Sequence, residues 1–177
     1  PMLSLGNAFN EEDLNNFEKK IINFLSLKSI DSIEYSVEPK IDGISASLIY
    51  VEGKFLRGLS RGDGIEGEDI TQNLKTIKDI PMVIAEKSFP EEIDIRGEVF
   101  IENNDFKKIS KKFSNPRNTA SGSLRQKDPA ITRKIPLKFI AYTHGYMKDA
   151  KIVSQNMIDF PYANYDIYPL KSNHVQD

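Results

Sequence analysis

The chain has 177 residues, with 24 lysines and arginines against 26 acids, a formal net charge of -2, 39% hydrophobic residues and no cysteine. That length supports one compact domain with a hydrophobic core, and the balanced composition excludes a globally basic coat protein, an acidic tail and a low-complexity disordered chain. Without cysteine there is no disulfide scaffold, zinc ribbon, thiol nucleophile or iron–sulfur cluster, and the two histidines cannot form a zinc cluster. No stretch approaches the roughly 20 apolar residues that cross a bilayer, and no secretory pattern opens the chain, so a soluble cytoplasmic protein is expected. The first residue is Pro1, which suggests that a preceding segment is missing.

In chain order, the first periodic segment starts at Asn10. Asn10 can cap a helix, Glu11, Glu12 and Asp13 suit its positive end, and Leu14, Phe17, Ile21 and Phe24 or Leu25 recur on one face, which predicts a helix to about Leu27. A short strand is expected over 36–40, followed by a turn at Asp42-Gly43. Ile44, Ala46, Leu48 and Tyr50 then alternate with Ser45, Ser47 and Ile49, the two-residue period of a strand with one richer face. Glu52-Gly53 predicts a hairpin into a second strand over 54–59.

Turn signals follow in Arg61-Gly62-Asp63-Gly64 and Glu66-Gly67, where glycines let backbone amides approach a ligand, and then a short helix over 68–76. Pro81 and Pro90 bracket a connection into a strand over 92–101. Asn103 or Asn104 can cap a brief helix that buries Phe106 and Ile109. The stretch 114–128 has lost amphipathic period and reads as a shaped loop or broken helix. A last strand is expected over 137–142, and from Met147 the tail holds a weak helical piece and then proline-broken aromatic residues.

The small net charge conceals segregation. From Lys107 to Lys138 there are ten basic residues and one acid, Asp128, a local charge of +9. Such a zone attracts phosphates whatever the total. Lys107, Lys108, Lys111 and Lys112, like Arg133 and Lys134, fit solvated surface and phosphate-backbone contact equally.

The residues that carry chemistry begin with Lys40-Ile41-Asp42-Gly43. A lysine amine attacks phosphorus only after losing a proton, which nearby cations or desolvation favour. Alone, the tetrad fits a surface lysine beside a hairpin turn. Its setting is more specific: Met2-Leu3-Ser4-Leu5-Gly6-Asn7-Ala8-Phe9 opens the chain, and Glu38-Pro39 precedes the lysine. Arg61-Gly62-Asp63-Gly64, Gly67-Glu68-Asp69-Ile70-Thr71, Arg96-Gly97-Glu98-Val99-Phe100, the run from Asn115-Pro116-Arg117-Asn118 to Leu124-Arg125-Gln126, and Asp128-Pro129 follow in order. Together these resemble the adenylation (nucleotidyltransferase) domain of NAD-dependent bacterial DNA ligases, over residues 1–145. The lysine tetrad is shared with ATP-dependent ligases and capping enzymes, whereas the opening strip and the Asn115–Gln126 run are particular to the NAD-dependent branch.

The resemblance implies that Lys40 attacks the adenylyl phosphorus of NAD, expels nicotinamide mononucleotide and becomes a covalent lysine-AMP. AMP would then pass to the 5′-phosphate of nicked duplex DNA, where the adjacent 3′-hydroxyl closes the nick. It further implies catalytic roles for Asp42, Arg117 and Arg125, a phosphate-side role for Arg61, and Glu98 near ribose and Mg²⁺. Glu38, Tyr142, Ser4 and Leu5 would line the adenine pocket. Asp42 could instead only make its turn, Glu98 could be a strand-end charge paired with Arg96, Tyr142 could be sheet core, and His144 a polar loop residue.

The implied architecture is α+β, an ATP-grasp-like DNA ligase nucleotidyltransferase fold with largely antiparallel sheets and peripheral helices. The expected organisation is a partial adenylation domain over 1–177: strip and helix over 1–35, nucleotide-binding core over 36–145, and a poorly matched tail over 146–177. Family members carry further motifs and domains on both sides, including a preceding domain for the nicotinamide mononucleotide half of NAD, so a chain truncated at both ends is expected, with the remaining ligase domains as its partners. The 106–118 stretch is shorter than the family's usual segment. NAD and Mg²⁺ are the implied cofactors. The competing readings are a catalytically silent nucleotide- or DNA-binding fragment and another lysine nucleotidyltransferase.

Overall fold

A computed structural model describes residues 2, 6–28, 37, 39–86 and 89–148. These fall into two units, one holding the residues from Gly6 to Pro39 and the other holding Met2 and the residues from Lys40 onward.

Among its described residues the first unit contains one helix, α1 (Glu11–Leu25), and its start follows the capping logic of the sequence. The Asn10 side chain accepts the Asp13 N–H at 2.9 Å, and the Asp13 carboxylate accepts the Phe9 N–H at 2.9 Å. Ser26 ends the helix in the left-handed region, φ 52°, with its N–H turned back to the Asn23 carbonyl. The helix therefore closes two residues short of the expected Leu27. Of the strand expected over 36–40, the described residues Val37, Pro39 and Lys40 lie in no strand, and the rest lie outside the described residues. Pro39 brings no N–H to a ladder, which accounts for its place outside any strand.

The second unit is built on a four-stranded antiparallel sheet of order β2-β1-β3-β4, from β1 (Ile44–Val51), β2 (Lys54–Ser60), β3 (Glu92–Phe100) and β4 (Lys138–Lys148). The β1–β2 turn has Glu52 and Gly53 both at positive φ, 49° and 73°, the two-residue turn whose twist suits a hairpin. Register sorts the side chains into two faces. On one, Ile44, Ala46, Leu48 and Tyr50 oppose Val99, Gly97, Ile95 and Ile93, and these apolar positions form the core. On the other, Ser45 opposes Glu98, Ser47 opposes Arg96, and Ile49 opposes Asp94.

The core face is covered by three short helices. α2 (Thr71–Leu74) packs on β2, α4 (Pro116–Leu124) packs on β1 and β3, and α5 (Pro129–Thr132) touches both helices. Leu74, Ala120 and Leu124 are buried there with Ile70, Ile77 and Ile80. Tyr50 closes the far end, its ring against Phe55 and Phe89 and its hydroxyl donating to the Pro81 carbonyl at 2.8 Å. Burial pushes the Tyr50 phenol far above its ordinary range, so it stays a neutral donor.

Several elements differ from expectation. The helix expected over 68–76 starts only at Thr71, because Glu68 and Asp69 still pair with the end of β2 through the Ser60 N–H to Glu68 carbonyl bond and a Leu59–Asp69 bridge. The helix α3 (Asn103–Ile109) has Glu102, not Asn103 or Asn104, at its cap position. Within 114–128, Pro116–Leu124 form a regular helix flanked by non-helical residues on both sides, and Asp128 caps α5 by accepting the Ala130 N–H. β4 runs to Lys148, well beyond the expected residue 142, with the first tail residues as its end. The remainder of the tail lies outside the described residues.

Candidate functional site

Lys40 precedes β1 in a loop rather than ending a strand. The fold of that loop depends on Gly43, which lies against the backbone of Val99 near the end of β3. A Cβ there would sit 2.2 Å from the Val99 carbonyl oxygen, so only glycine lets the 40–43 segment approach this closely. The same approach lets the Gly43 N–H donate to the Glu98 carboxylate.

Glu98 is the buried carboxylate of the polar face, 9% exposed. The Ser45 hydroxyl, from the residue directly opposite on β1, donates to Glu98 Oε2 at 2.9 Å. Burial raises the Glu98 carboxyl above its ordinary value, and the Ser45 hydrogen bond, the Arg117 charge, the Gly43 N–H and the Lys40 charge oppose that shift. Among the described residues, Lys40 and Arg117 are thus the two cations that act on this carboxylate.

Arg117 arrives from the capped start of a helix. Asn115 accepts the Asn118 N–H at 2.7 Å as N-cap of α4, Pro116 takes the first helical position, and Arg117 the second. Its Nη1 donates to Asp42 Oδ1 at 2.9 Å, linking α4 to the lysine loop across 75 residues. Both partners are open to solvent, Arg117 51% and Asp42 75% exposed, so the pair contributes little to stability and remains available to a ligand. Lys40, Asp42, Glu98 and Arg117 therefore form one cluster, in which one guanidinium and two carboxylates accompany the exposed Lys40 amine. Such a cluster can bind a phosphate and hold the amine beside it.

The other candidates stand apart from that cluster. Arg125 caps the C-terminal end of α4, about 12 Å of helix rise from Arg117, and donates to Glu68 at 3.1 Å. Arg61 donates to the Met2 carbonyl at 3.2 Å. The loop after it is organised by its own backbone: Gly62 sits at φ 55°, and the Asp63 carboxylate accepts the Ile65 and Glu66 N–H groups. These glycines serve the loop's own turn. Tyr142 is 42% exposed at a bulge of β4, between the partners of Gly97 and Arg96, so it is not core packing. His144 lies within β4, not in a loop. Ser4, Leu5 and Glu38 lie outside the described residues.

The sequence reading passed over three features. The first is the polar row Asp94, Arg96 and Glu98 on β3 facing Ser45 and Ser47 on β1. In it Asp94 accepts from Arg96 at 3.0 Å and from the Ser47 hydroxyl. Its alternating polar residues are visible in the sequence, but their partners depend on register. The second is Glu68 as the anchor of Arg125. The third is Asn73, whose buried amide ties α2 to the Gln126 carbonyl at 2.9 Å and to the Thr132 hydroxyl at 2.8 Å, fastening the helix that carries Arg117. Among the described residues no group of three or more histidine, cysteine or acidic side chains could hold a metal ion by itself. Among them, too, no helix is long and apolar enough to cross a membrane.

Comparison with known proteins gives consistent matches. Residues 1–160 match the family model of the NAD-dependent DNA ligase adenylation domain. A DNA ligase of Pelagibacter ubique (strain HTCC1062) is 72% identical over 173 residues, covering 98% of this chain and 25% of that protein. A DNA ligase of Parvibaculum lavamentivorans is 48% identical over 164 residues, covering 88% and 23%, and one of Bradyrhizobium sp. (strain ORS 278) is 44% identical over 180 residues, covering 96% and 25%. The chain spans about a quarter of the length of these curated relatives.

Proposed function

The chain belongs to the family of NAD-dependent DNA ligase adenylation domains, and from that premise we propose that it forms a covalent lysine-AMP on Lys40 for the sealing of nicks in duplex DNA. The Lys40 amine, once deprotonated, attacks the adenylyl phosphorus of NAD. A nitrogen–phosphorus bond forms, the bridging phosphorus–oxygen bond breaks, and nicotinamide mononucleotide departs with the electron pair. NAD is consumed and is therefore a substrate.

The observation that carries this reading is the convergence of Lys40, Asp42, Glu98 and Arg117, with Arg117 2.9 Å from Asp42. Arg117 exchanges its contact with Asp42 for the oxygens of the attacked phosphate, where a planar pair of donors stabilises charge as it shifts. Asp42, released, orients the amine. Glu98, held by Ser45 and Gly43, accepts from a ribose hydroxyl or ligates Mg²⁺. One buried carboxylate fits that ion, which takes one or two carboxylates and completes its shell with substrate phosphates and water. Bound there, Mg²⁺ supplies charge neutralisation at the phosphate.

Arg61 and Arg125 bind phosphates of nucleotide or DNA, with Arg125 leaving Glu68 to do so. Tyr142, exposed on β4, stacks on adenine with Ser4, Leu5 and Glu38 beside it. In the parent chain the AMP passes to the 5′-phosphate of nicked DNA and further ligase domains retain the duplex, in the cytoplasm.

The test is intact mass spectrometry of the chain after incubation with NAD, ATP or GTP and Mg²⁺. A gain of one adenylyl group from NAD alone is expected. A gain from ATP or GTP would replace the nucleotide assignment, and saturable NAD binding without mass gain would make the chain a silent nucleotide-binding unit. Sealing of nicked DNA by the complete parent protein tests the last step.

A further inference from the structure

Glu98 works at a phosphate only if its carboxylate is held in one direction, and a glutamate side chain has three rotatable bonds. We propose that Ser45 is the positioning residue that fixes the Glu98 carboxylate beside Lys40 and Arg117. The inference rests on the reading of Glu98 given above and deepens it.

Ser45 and Glu98 are direct partners across β1 and β3, and the Ser45 hydroxyl donates to Oε2 at 2.9 Å in a part-buried setting. The second donor to the same carboxylate is the Gly43 N–H, two residues earlier. Both donors therefore sit on the segment that carries Lys40, so the carboxylate is indexed to the nucleophile's own loop. A hydrogen bond to a charged group is stronger than a neutral one and directional. Losing the hydroxyl would leave Glu98 with one backbone donor and two cations that attract it without fixing its angle.

The sheet contains its own control. Two residues along β1 and on the same face, Ser47 also donates to a carboxylate, that of Asp94, diagonal to its direct partner Arg96, and Asp94 pairs with Arg96 rather than with the lysine cluster. A serine–carboxylate bond that only braces the sheet and one that aims a site residue can thus be compared within one protein.

The experiment uses Ser45→Ala, Ser45→Thr and Ser47→Ala in this chain, with two readouts. Three-bond couplings measured by NMR report the Glu98 rotamer in the nucleotide-free protein. A single rotamer is expected in wild type and Ser45→Thr, and averaging in Ser45→Ala. Single-turnover adenylation of Lys40 by NAD should then fall about tenfold in maximal rate for Ser45→Ala, the loss expected for a hydrogen bond to a charged group. Half-saturating NAD should change less than about twofold, Thr should restore the rate, and Ser47→Ala should stay at the wild-type rate. A single Glu98 rotamer in Ser45→Ala, an unchanged rate, or equal losses in Ser45→Ala and Ser47→Ala would overturn the proposal. If wild type itself forms no adduct, the adenylation reading fails on its own, and the rotamer populations still decide whether Ser45 holds Glu98.

Discussion

Replacing Asn73 by alanine should loosen the helix that carries Arg117 and Arg125. The Asn73 amide donates to the Gln126 carbonyl at 2.9 Å and to the Thr132 hydroxyl at 2.8 Å, and Thr132 is fully buried. Thr132 in turn donates to the Ser123 carbonyl at 2.8 Å, so α2, α4 and α5 meet in one network. Each net hydrogen bond contributes about 1 kcal/mol, and each buried acceptor left without a donor costs about 1–3 kcal/mol. Two bonds lost, one of them leaving the Thr132 oxygen short of a donor, give an expected destabilisation of about 2–4 kcal/mol. Urea denaturation of wild type and Asn73→Ala measures it, with an unchanged m-value showing that only stability has moved. Adding Thr132→Val to each background gives the coupling, expected at about 1 kcal/mol or more for residues in direct contact. A loss below about 1 kcal/mol, or strictly additive effects, would refute the network as the fastening of α4.

Other outcomes follow from the same geometry. Burial raises the Glu98 carboxyl, so the stability of its protonated form is present at low pH and is lost as pH rises through the raised value. Glu98→Gln, which cannot ionise, should melt above wild type at neutral pH and level with it below the ordinary carboxylate range, and thermal melts across pH without divalent cation check the sign. Arg117→Ala should change stability by less than about 1 kcal/mol, because its Asp42 pair is exposed. The same variant should slow adenylation about 100-fold as a phosphate donor is lost, so rate and melting temperature should part company. Gly43→Ala forces a Cβ to 2.2 Å from the Val99 carbonyl, a backbone atom that cannot step aside; loss of adduct formation with a lowered melting point is expected, read by mass and by melting.

The sequence and the fold agree at several places where the chemistry is local. Asn10 with Asp13, the Glu52-Gly53 hairpin and the alternation from Ile44 to Tyr50 each carry their instruction within a few residues. The helix at 116–124 escaped because its buried side is made of Thr119, Ala120, Ser123 and Leu124, small and polar enough to erase the apolar period. Its Asn115 cap and Pro116 at the first position are the local signals of a helix start that the sequence reading passed over. The candidate site was legible in its members and not in its wiring. Lys40, Asp42, Glu98 and Arg117 stand out through the family's motifs, but the Arg117–Asp42 contact spans 75 residues and Ser45–Glu98 spans 53. Such pairings are set by strand register and helix docking, which no local pattern encodes.

Everything in the account converges on one amine. Wild type and Lys40→Ala, each incubated with NAD and Mg²⁺, can be digested and the adenylylated peptide sequenced by tandem mass spectrometry. The account predicts one AMP on residue 40 of the wild type and none on the variant. An AMP borne by another lysine, or by the variant, would contradict it.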